Sequence, residues 1–534
     1  MPYLSLSRLP VTTLSLTLSP YQASSDATLR EVVARELALP LESITSVVVR
    51  RRNIDARQRR ILVNLSVEVY LDGEQPAVDD FSDLVYPDVS SAPSAVVVGA
   101  GPCGLFAALR LIELGVRPIV VERGQDVIQR RRDLVQLEKS GVVDPESNYS
   151  FGEGGAGAFS DGKLYTRSKK RGSVEKILRV FCRFGADPKI LIDAHPHIGT
   201  DKLPIIIRRM REQIIASGGE VHFACRMEEL ILERGEVRGV VCSGDRTFHG
   251  PVLLATGHSA RDVYRYLHRA EILIEAKPIA VGVRLEHPQS LIDEIRYHSP
   301  EGRGKYLPAA EYVYKAQAEG RGVYSFCMCP GGFVVPASTG PEETVVNGMS
   351  PANRGSRWAN SGLVVELRPE DIPATGIQVE DPTSPLALMQ WCEAFEHKSY
   401  LAANRSLRAP AQRMTDFVSR RHSSTLPSSS YTMGLTSSDL HEWMPDFITR
   451  RLSAGFRAFD RTTRGFLTDE AQLIGVESRT SSPVRIPRDR MTYAHPVVAG
   501  LYPAGEGAGF AGGIVSAAID GENAAQQIAL ALGR

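Results

Sequence analysis

The stretch AVVVGAGPCGLFAALRLIELGVRPIVVERG, residues 95–124, decides the fold class of this chain. Its apolar run AVVV predicts a buried parallel strand, which is followed by a glycine turn, a helix and a second strand. Gly99 permits the tight turn, Gly101 permits close backbone approach to a pyrophosphate, and Gly104 lets the helix pack against the strand. The stretch therefore predicts a Rossmann-like α/β domain that binds a dinucleotide at a helix N-terminus.

The second predicted strand ends in an acidic residue, Glu122, followed by Arg123. An acid roughly 20 residues after the first glycine of such a turn accepts hydrogen bonds from the adenosine ribose hydroxyls. Its negative charge also repels a 2′-phosphate, which disfavours tightly bound NADP at this position. The combination of strand, turn, helix, strand and acid is far more specific than the three glycines alone.

Two further glycine-rich segments, GEGGAGAFSDGK (152–163) and YPAGEGAGFAGG (502–513), favour FAD over NAD. Ordering so many glycines costs backbone entropy, which suits places where the backbone lies against a large flat ligand. A helix that begins after Gly513 would point its N-terminus at the electron-rich N1–C2=O edge of a flavin. Three separated loops suit an extended cofactor, so the sequence predicts FAD.

The residue pattern changes along the chain and divides it into four segments. A strand, a helix capped by Ser25 and two strands joined by a basic loop predict a small α+β domain. Short apolar runs among many prolines and glycines predict a β-rich inserted substrate domain that splits the FAD-binding domain. The predicted boundaries are 1–92 for the α+β domain, 93–270 for the first part of the FAD-binding domain, 271–425 for the insert, and 426–534 for a connector and the C-terminal part of the FAD-binding domain.

The basic loop between the last two strands of the N-terminal segment carries six arginines between Arg50 and Arg60. Such a cluster is compatible with RNA binding. The alternative is a solvated, charged hairpin, and the absence of an evident aromatic stacking platform in this segment favours it. RNA stays a candidate partner beside a small-molecule substrate.

The overall composition restricts the classes of protein that the chain can belong to. Lys+Arg and Asp+Glu are balanced at 62 each, so no strong net field attracts nucleic acid or anionic lipid. Seven scattered cysteines suit reduced thiols in the cytoplasm better than a disulfide framework. No signal peptide or run of about 18 apolar residues is evident, and histidines and acids are too dispersed for a metal site. A soluble cytoplasmic protein is expected.

Several motifs together resemble one family of two-dinucleotide-binding-domain flavoproteins, the uncharacterised FAD-dependent dehydrogenases with a small N-terminal α+β domain. The similarity spans nearly the whole chain and includes the first glycine turn. The other motifs that carry it are NIDAR (53–57), FGEGGAGAFSDGKL (151–164), VLLATG (252–257), AVGVRLEHPQ (280–289), YSFCMCPGG (324–332), NGMS (347–350), RTSSPVRIPRD (479–489) and GLYPAGEGAG (500–509). The resemblance implies FAD binding and redox chemistry, without a substrate.

The resemblance also implies which residues hold the cofactor. The first turn and Glu122 would bind the ADP half of FAD, and the glycine-rich loops would lie against pyrophosphate, ribitol and ring. The implied cofactor-binding residues are Gly99, Gly101, Gly104, Glu122, Arg123, Gly154, Gly155, Ala156, Ser160, Lys163, Ala255, Thr256, Gly257, Gly505, Glu506, Gly512, Gly513 and Ile514.

Four residues are candidates for catalysis, although each also has a structural interpretation. Cys327 and Cys329 would point to the same side of an extended segment, where a thiol near the flavin relays electrons or attacks a substrate. Two small buried residues in a strand are the alternative. Arg479 is the preferred contact for an anionic substrate, and Lys163 is a candidate for binding substrate or moving a proton.

Three functional hypotheses follow. The first is an FAD-dependent oxidoreductase of the dehydrogenase type that transfers hydride to or from a small organic molecule, with NAD(P)H as a possible transient electron donor. The second is a flavoprotein that acts on RNA through the basic N-terminal segment. The third is a flavin-bound sensor or scaffold without turnover, since a cofactor site does not by itself prove catalysis. The oligomeric state is left open.

Overall fold

A computed structural model describes residues 12–77, 79–166 and 170–534 of this chain. The N-terminal domain is an antiparallel sheet of three strands, with Leu62–Leu71 between Thr12–Leu18 and Ile44–Asp55. One helix, Asp26–Leu37, covers this sheet and is capped by Ser25, whose hydroxyl accepts a hydrogen bond from the Thr28 amide. The small α+β domain expected from the sequence is therefore present.

The first large domain is built on five parallel strands. In sheet order they are Leu501–Pro503, Val252–Leu254, Ser94–Val98, Arg117–Val121 and Glu220–His222. The central strand Ser94–Val98 is buried on both faces, as the continuous apolar run predicted. The helices of this domain are Pro102–Glu113, Val127–Ser140, Val174–Arg183, Leu203–Ala216, Arg261–Arg269 and Ile514–Ala531.

Smaller sheets complete this domain. Three antiparallel strands, Met227–Glu233, Glu236–Cys242 and Arg246–His249, form a meander whose apolar residues pack against one face of the parallel sheet. A two-stranded pair joins Glu275–Ala276 to Val484–Arg485 and marks where the chain leaves and re-enters the domain. The Rossmann-like domain is therefore split in sequence by an insertion, as predicted.

The second large domain contains a mixed sheet of seven strands with helices packed against it. In sheet order the strands are Lys315–Ala318, Arg321–Cys329, Trp358–Leu367, Ile279–Pro288, Gln472–Glu477, Ala409–Arg413 and Leu435–Ser437. A two-stranded pair, Phe333–Pro336 and Val346–Met349, lies beside it. The helices are Gln289–Tyr297, Ile372–Thr375, Ala387–Ala402, Met414–Ser419, Leu440–Trp443 and Asp446–Thr462.

The C-terminal boundary of this second domain lies later than the predicted residue 425. Strand Gln472–Glu477 pairs with Ile279–Pro288 near the centre of the sheet, so the domain continues to residue 477. The serine-rich stretch expected to be a connector is packed into the domain, because the Ser430 amide and hydroxyl both donate to the buried Glu286 carboxylate and Tyr431 is buried. Hydroxyl groups that satisfy a buried carboxylate explain this serine-rich composition.

The N-terminal domain is held against both other domains. Arg52 exchanges backbone hydrogen bonds with Ile192 and Ala194 of the first large domain. Ala56 and Ile61 pack against the apolar core of the second domain. No helix among the described residues is both long enough and apolar enough to cross a membrane.

Candidate functional site

A cleft lies where the glycine turns of the first large domain meet strands of the second, and it encloses about 310 Å³. This volume is within the ordinary range for a small-molecule site. Most of the predicted cofactor-binding residues line it: Gly99, Gly101, Glu122, Arg123, Gly155, Ala156, Ser160, Lys163, Ala255, Thr256, Gly257, Glu506, Gly512, Gly513 and Ile514.

Three predicted cofactor-binding residues, Gly104, Gly154 and Gly505, lie outside the lining of this cleft. Each of them permits close packing behind the cleft wall. A Cβ at Gly104 would lie 1.9 Å from the Gly99 carbonyl oxygen, one at Gly154 would lie 2.5 Å from Ile207, and one at Gly505 would lie 2.9 Å from Cys103. Gly104 thus has the packing role that the turn motif predicts, and direct contact of Gly154 and Gly505 with a cofactor stays a prediction.

Other glycines form an open cradle on the cleft side. Among the described residues, a Cβ at Gly257, Gly512 or Gly513 would meet no atom within 4 Å, and one at Gly101 would meet only Gly155 Cα at 3.9 Å. All four line the cleft, so side chains there would project into the space that a ligand needs. The missing side chains leave the backbone accessible, which fits a large ligand lying along it.

Two helix N-termini meet at this cleft. Gly101 is the N-cap of Pro102–Glu113, and Gly513 is the N-cap of Ile514–Ala531. Both N-caps line the cleft, and neither helix has a side-chain cap for its first amides. Free amides and the positive helix ends favour negatively charged groups, such as a pyrophosphate at one helix and a flavin edge at the other. The residues present therefore fit FAD.

Glu122 is buried and already holds three backbone amides. Its Oε2 accepts from Ala100 at 2.8 Å, and its Oε1 accepts from Gly124 and Gly152, each at 3.0 Å. A carboxylate offers about four acceptor positions, so roughly one is left for a ligand hydroxyl. Glu122 thus ties the first turn to the second glycine-rich loop and retains capacity for a ribose hydroxyl.

The second glycine-rich loop is positioned by a residue that sequence reasoning missed, Arg130. This fully buried guanidinium donates to the carbonyl oxygens of Asn148, Glu153 and Gly155 at 2.8–2.9 Å. Burial lowers the pKa of Arg130 to about 10, although Glu122 and Glu153 oppose this shift. Arg130 lies in a run of three arginines on a helix, a pattern that sequence alone assigns to a solvated face.

Cys327 and Cys329 of the second domain line the cleft in different ways. A bulge between Phe326 and Cys329 breaks the strand, and Cys327 has a φ of +42°. Cys327 is exposed and Cys329 is buried, so the predicted same-side arrangement is corrected. The extra residue of a bulge shifts the alternation of side chains, which explains the difference.

A buried arginine holds this bulged segment. Arg284 donates to the Cys327 carbonyl at 2.8 Å and to the Cys329 Sγ at 3.2 Å, and its guanidinium is 3.1 Å from Glu477. Burial raises the pKa of the Cys329 thiol, and the nearby Arg284 charge acts in the opposite direction. A Cβ at Gly348 would lie 2.1 Å from the same guanidinium, so glycine is required at that position in the cleft wall.

Lys163 lies at the other side of the cleft and begins a series of polar contacts that ends at the exposed side chain of His195. Its Nζ donates to the Met328 carbonyl and lies 3.9 Å from a Glu311 carboxylate oxygen. The other Glu311 oxygen contacts His195 Nδ1, and the His195 side chain is 57% exposed. Burial would raise the pKa of Glu311, but the hydrogen bond from His195 and the charges of Lys163 and Arg354 lower it to about 2.

The contact between Glu311 and His195 predicts a pH-dependent contribution to the free energy of unfolding. The lowered pKa of Glu311 stabilises the fold above its ordinary pKa near 4.5, and this is lost as pH falls toward 2. The pKa of His195 is raised, mainly by the hydrogen bond to Glu311, so its contribution is lost as pH rises through that raised value above 6.5. We expect the difference in free energy of unfolding between wild type and Glu311→Gln to be largest near pH 5.5.

Urea denaturation at about pH 3.5, 5.5 and 9 measures that difference, which should shrink by about 1 kcal/mol between pH 5.5 and pH 3.5. Glu301→Gln is the matched control, since Glu301 is exposed and pairs with no cation in the described part of the chain. A difference that stays constant with pH would contradict the coupling of Glu311 to His195.

Arg479 differs from its predicted role as a contact for an anionic substrate. Its guanidinium donates to Glu343 at 2.6 Å, to Glu396 at 3.2 Å and to Thr339 at 2.8 Å. Glu396 also binds Arg261, and these two arginines hold its pKa well below its ordinary value despite complete burial. Because two carboxylates neutralise Arg479, it supports the cleft wall instead of attracting an anion.

Residues beyond the predicted cofactor-binding and catalytic sets also line the cleft. Asn347 and Gly348 belong to the NGMS motif, which was noted without a role, and they line the cleft together with Phe326. His258 lines it too, with its Nε2 3.6 Å from Glu506, and burial lowers the pKa of His258. The signal for Asn347 was present in the sequence, since Asn-Gly in a strand marks a close backbone approach.

The sequence of this chain is similar to known protein families and to a relative of nearly the same length. Residues 278–480 match the family model "FAD-dependent protein, C-terminal domain-like", residues 93–147 match an FAD binding domain, and residues 11–70 match a domain of unknown function. An uncharacterized protein of Clostridium beijerinckii is 39% identical over 518 residues, covering 94% of this chain and 95% of the relative. The fold, the site and these matches define an FAD-binding flavoprotein.

The chain belongs to the family of uncharacterised FAD-dependent proteins that includes this Clostridium beijerinckii relative. Solved structures are more distant. A geranylgeranyl bacteriochlorophyll reductase-like protein of Thermoplasma acidophilum is 14% identical with a TM-score of 0.34, over 83% of this chain and 79% of that one. A glycerol-3-phosphate dehydrogenase of Bacillus halodurans complexed with FAD is 12% identical with a TM-score of 0.36, over 85% and 67%.

Proposed function

We propose that this protein is a dehydrogenase that transfers hydride between FAD and a small organic substrate bound in the cleft between its two large domains. One observation carries the proposal. The cleft wall opposite the glycine loops comes from the second domain, where Phe326, Cys327 and Asn347 face the same space as Lys163. A pocket completed by a separate domain provides room for a substrate beside a cofactor held by the first domain.

The cofactor assignments follow from the same cleft. Gly99, Gly101 and the N-terminus of Pro102–Glu113 would hold the pyrophosphate, and Glu122 would accept from the ribose. The N-terminus of Ile514–Ala531 would lie at the flavin ring. When bound, FAD supplies a ring that accepts or donates hydride.

The substrate would lie against Lys163 and Cys327. The Lys163 ammonium has three donors, of which one binds the Met328 carbonyl. Another is therefore available to a substrate oxygen, and Glu311 balances the lysine charge from 3.9 Å. Cys327 is exposed in the cleft, and no base among the residues that the structure describes is hydrogen-bonded to its thiol, so we propose that it shapes the substrate site.

The visible spectrum of the purified protein, followed by anaerobic reduction, tests this function. Absorbance at about 450 nm is expected for bound oxidised flavin. Bleaching by members of a panel of alcohols, amines and hydroxy acids would support a dehydrogenase and identify its reductant. Bleaching by NADH or NADPH alone would indicate a reductase with a transient nicotinamide site. A yellow protein that none of these bleaches would contradict turnover and favour a sensor.

Lys163→Met is the variant that tests the site. We expect it to retain FAD and to lower the rate constant of flavin reduction by about 100-fold or more, since a positioned proton donor contributes about 10²–10⁴-fold. Stopped-flow absorbance with the reductant found above gives that rate constant. Lys189→Met, at an exposed lysine on another surface, is the matched control. An unchanged rate in Lys163→Met would exclude Lys163 from the substrate site.

A further inference from the structure

A second candidate surface lies at the tip of the arginine-rich hairpin, away from the flavin cleft. The hairpin tip, residues 56–61, packs Ala56 and Ile61 onto the second domain. His298 Nε2 lies 3.2 Å from the Ala56 carbonyl oxygen, which fixes the tip against the end of helix Gln289–Tyr297. The arginines of the tip are therefore presented from an anchored loop.

The charge on this surface is mostly positive. Arg59 and Arg60 are exposed, and no ion pair involves them in the described parts of the chain. Arg57 binds its own neighbour, Asp55, at 2.6 Å. A concavity beside the tip adds Arg296 and Arg464, and its lining contains one acid, Glu294. One further exposed acid, Glu301, lies near this surface. The basic residues of the whole surface are Arg57, Arg59, Arg60, Arg296, Lys305 and Arg464.

An aromatic pair lies at the same end of the N-terminal sheet. Leu18 and Ile54 both pair with Val63, so the segment after Leu18 leaves the sheet beside the hairpin tip. Tyr21 in that segment is 57% exposed, and its ring centroid lies 5.6 Å from that of Tyr306, which is 44% exposed. Tyr21 of the N-terminal domain therefore forms an exposed aromatic pair with Tyr306 of the second domain.

Arginines on an anchored loop beside exposed aromatic rings match the chemistry of single-stranded nucleic acid. Guanidinium groups bind the phosphate backbone, while bases stack on aromatic faces with little sequence preference. The Tyr306 ring also lies 5.7 Å from the Lys305 ammonium, so a cation is present next to the stacking surface. We propose that the hairpin tip and the Tyr21–Tyr306 pair form a binding surface for single-stranded nucleic acid.

The proposal does not depend on the substrate of the flavin site. Its test is the fluorescence anisotropy of labelled oligouridine and oligothymidine of about 12 nucleotides, titrated with the intact FAD-loaded protein. We expect binding that weakens steeply as salt rises from about 50 to 200 mM. Tighter binding of oligouridine would identify RNA as the ligand, and tighter binding of oligothymidine would identify DNA.

Two variants separate the charge from the stacking. The double variant Arg59→Ala/Arg60→Ala should weaken binding by about 10-fold and reduce the slope of log affinity against log salt by about 1.4. Tyr306→Ala should weaken binding by about 5- to 100-fold while leaving that slope unchanged. Tyr306→Phe keeps the aromatic ring and should bind as tightly as wild type.

Arg131→Ala/Arg132→Ala is the matched control, since these adjacent exposed arginines lie on the helix Val127–Ser140. The control should bind as tightly as wild type. The proposal is overturned by absence of binding at low salt, by equal loss in the control pair, or by full binding in Tyr306→Ala, which would indicate attraction of any polyanion.

Discussion

Gly101→Glu should abolish FAD retention while leaving the fold intact. Gly101 lines the cleft at a helix N-terminus, has an extended backbone with φ −76°, and its Cβ would meet only one atom, at 3.9 Å. A glutamate would therefore extend into the cleft without a backbone clash and place a negative charge at the pyrophosphate position. Repulsion between like charges at close range costs several kcal/mol, so FAD affinity should fall by about 100-fold or more.

The matched variant is Gly101→Ala, which adds a small side chain without a charge and should therefore lose much less flavin than Gly101→Glu. The ratio of absorbance at about 450 nm to protein absorbance measures flavin content, and circular dichroism checks the fold. A yellow Gly101→Glu protein with full flavin occupancy would place the pyrophosphate elsewhere. Loss of flavin in Gly101→Ala would show that any side chain is excluded there.

Arg284→Ala should destabilise the second large domain by about 3–5 kcal/mol, because removing one partner leaves a buried charge uncompensated. Arg284 and Glu477 are 0% and 1% exposed, and one Glu477 oxygen has no hydrogen-bond partner even in the intact structure. The same substitution removes the donor that holds the Cys327 carbonyl, so the cleft wall should loosen as well. Urea denaturation followed by tryptophan fluorescence measures the loss.

Two controls separate an unpaired buried charge from simple loss of a side chain. Arg284→Met combined with Glu477→Leu should recover most of the stability, since apolar replacement of a whole buried pair is often nearly neutral. Arg368→Ala removes an arginine that pairs with Glu366 on the same sheet but is 41% exposed, and it should cost at most about 1 kcal/mol. A cost below about 1 kcal/mol in Arg284→Ala would mean that Glu477 takes up a proton readily when unpaired.

Local sequence signals predicted the parts of this structure that depend on neighbouring residues. The strand, turn and helix at 95–124 follow from one continuous stretch, and the final helix begins after Gly513 as expected. The position of the first glycine, Gly99, requires glycine for two reasons: its φ is +105°, and a Cβ there would lie 2.5 Å from the Ala255 carbonyl oxygen. The turn type was readable from sequence, but the partner strand that enforces it was not.

Features that depend on residues distant in sequence escaped prediction. The sequence indicated Arg479 as a contact for an anionic substrate, and only the fold brings Glu343 and Glu396 to it. Arg130 read as one more charge on a helix, although the carbonyl groups that it binds lie 18–25 positions away. Side chains of this kind acquire their roles from long-range packing, which periodicity and motif spacing do not encode.

The order of strands in the parallel sheet has a consequence for how the protein is made. Strand Val252–Leu254 lies between Ser94–Val98 and Leu501–Pro503, and the helix after the latter supplies the last wall of the cleft. A ribosome adding about 5–20 residues per second reaches residue 501 roughly 20–80 s after residue 98. Throughout that interval the nascent chain exposes an unpaired sheet edge, and the flavin cannot be fully enclosed before translation of the last segment.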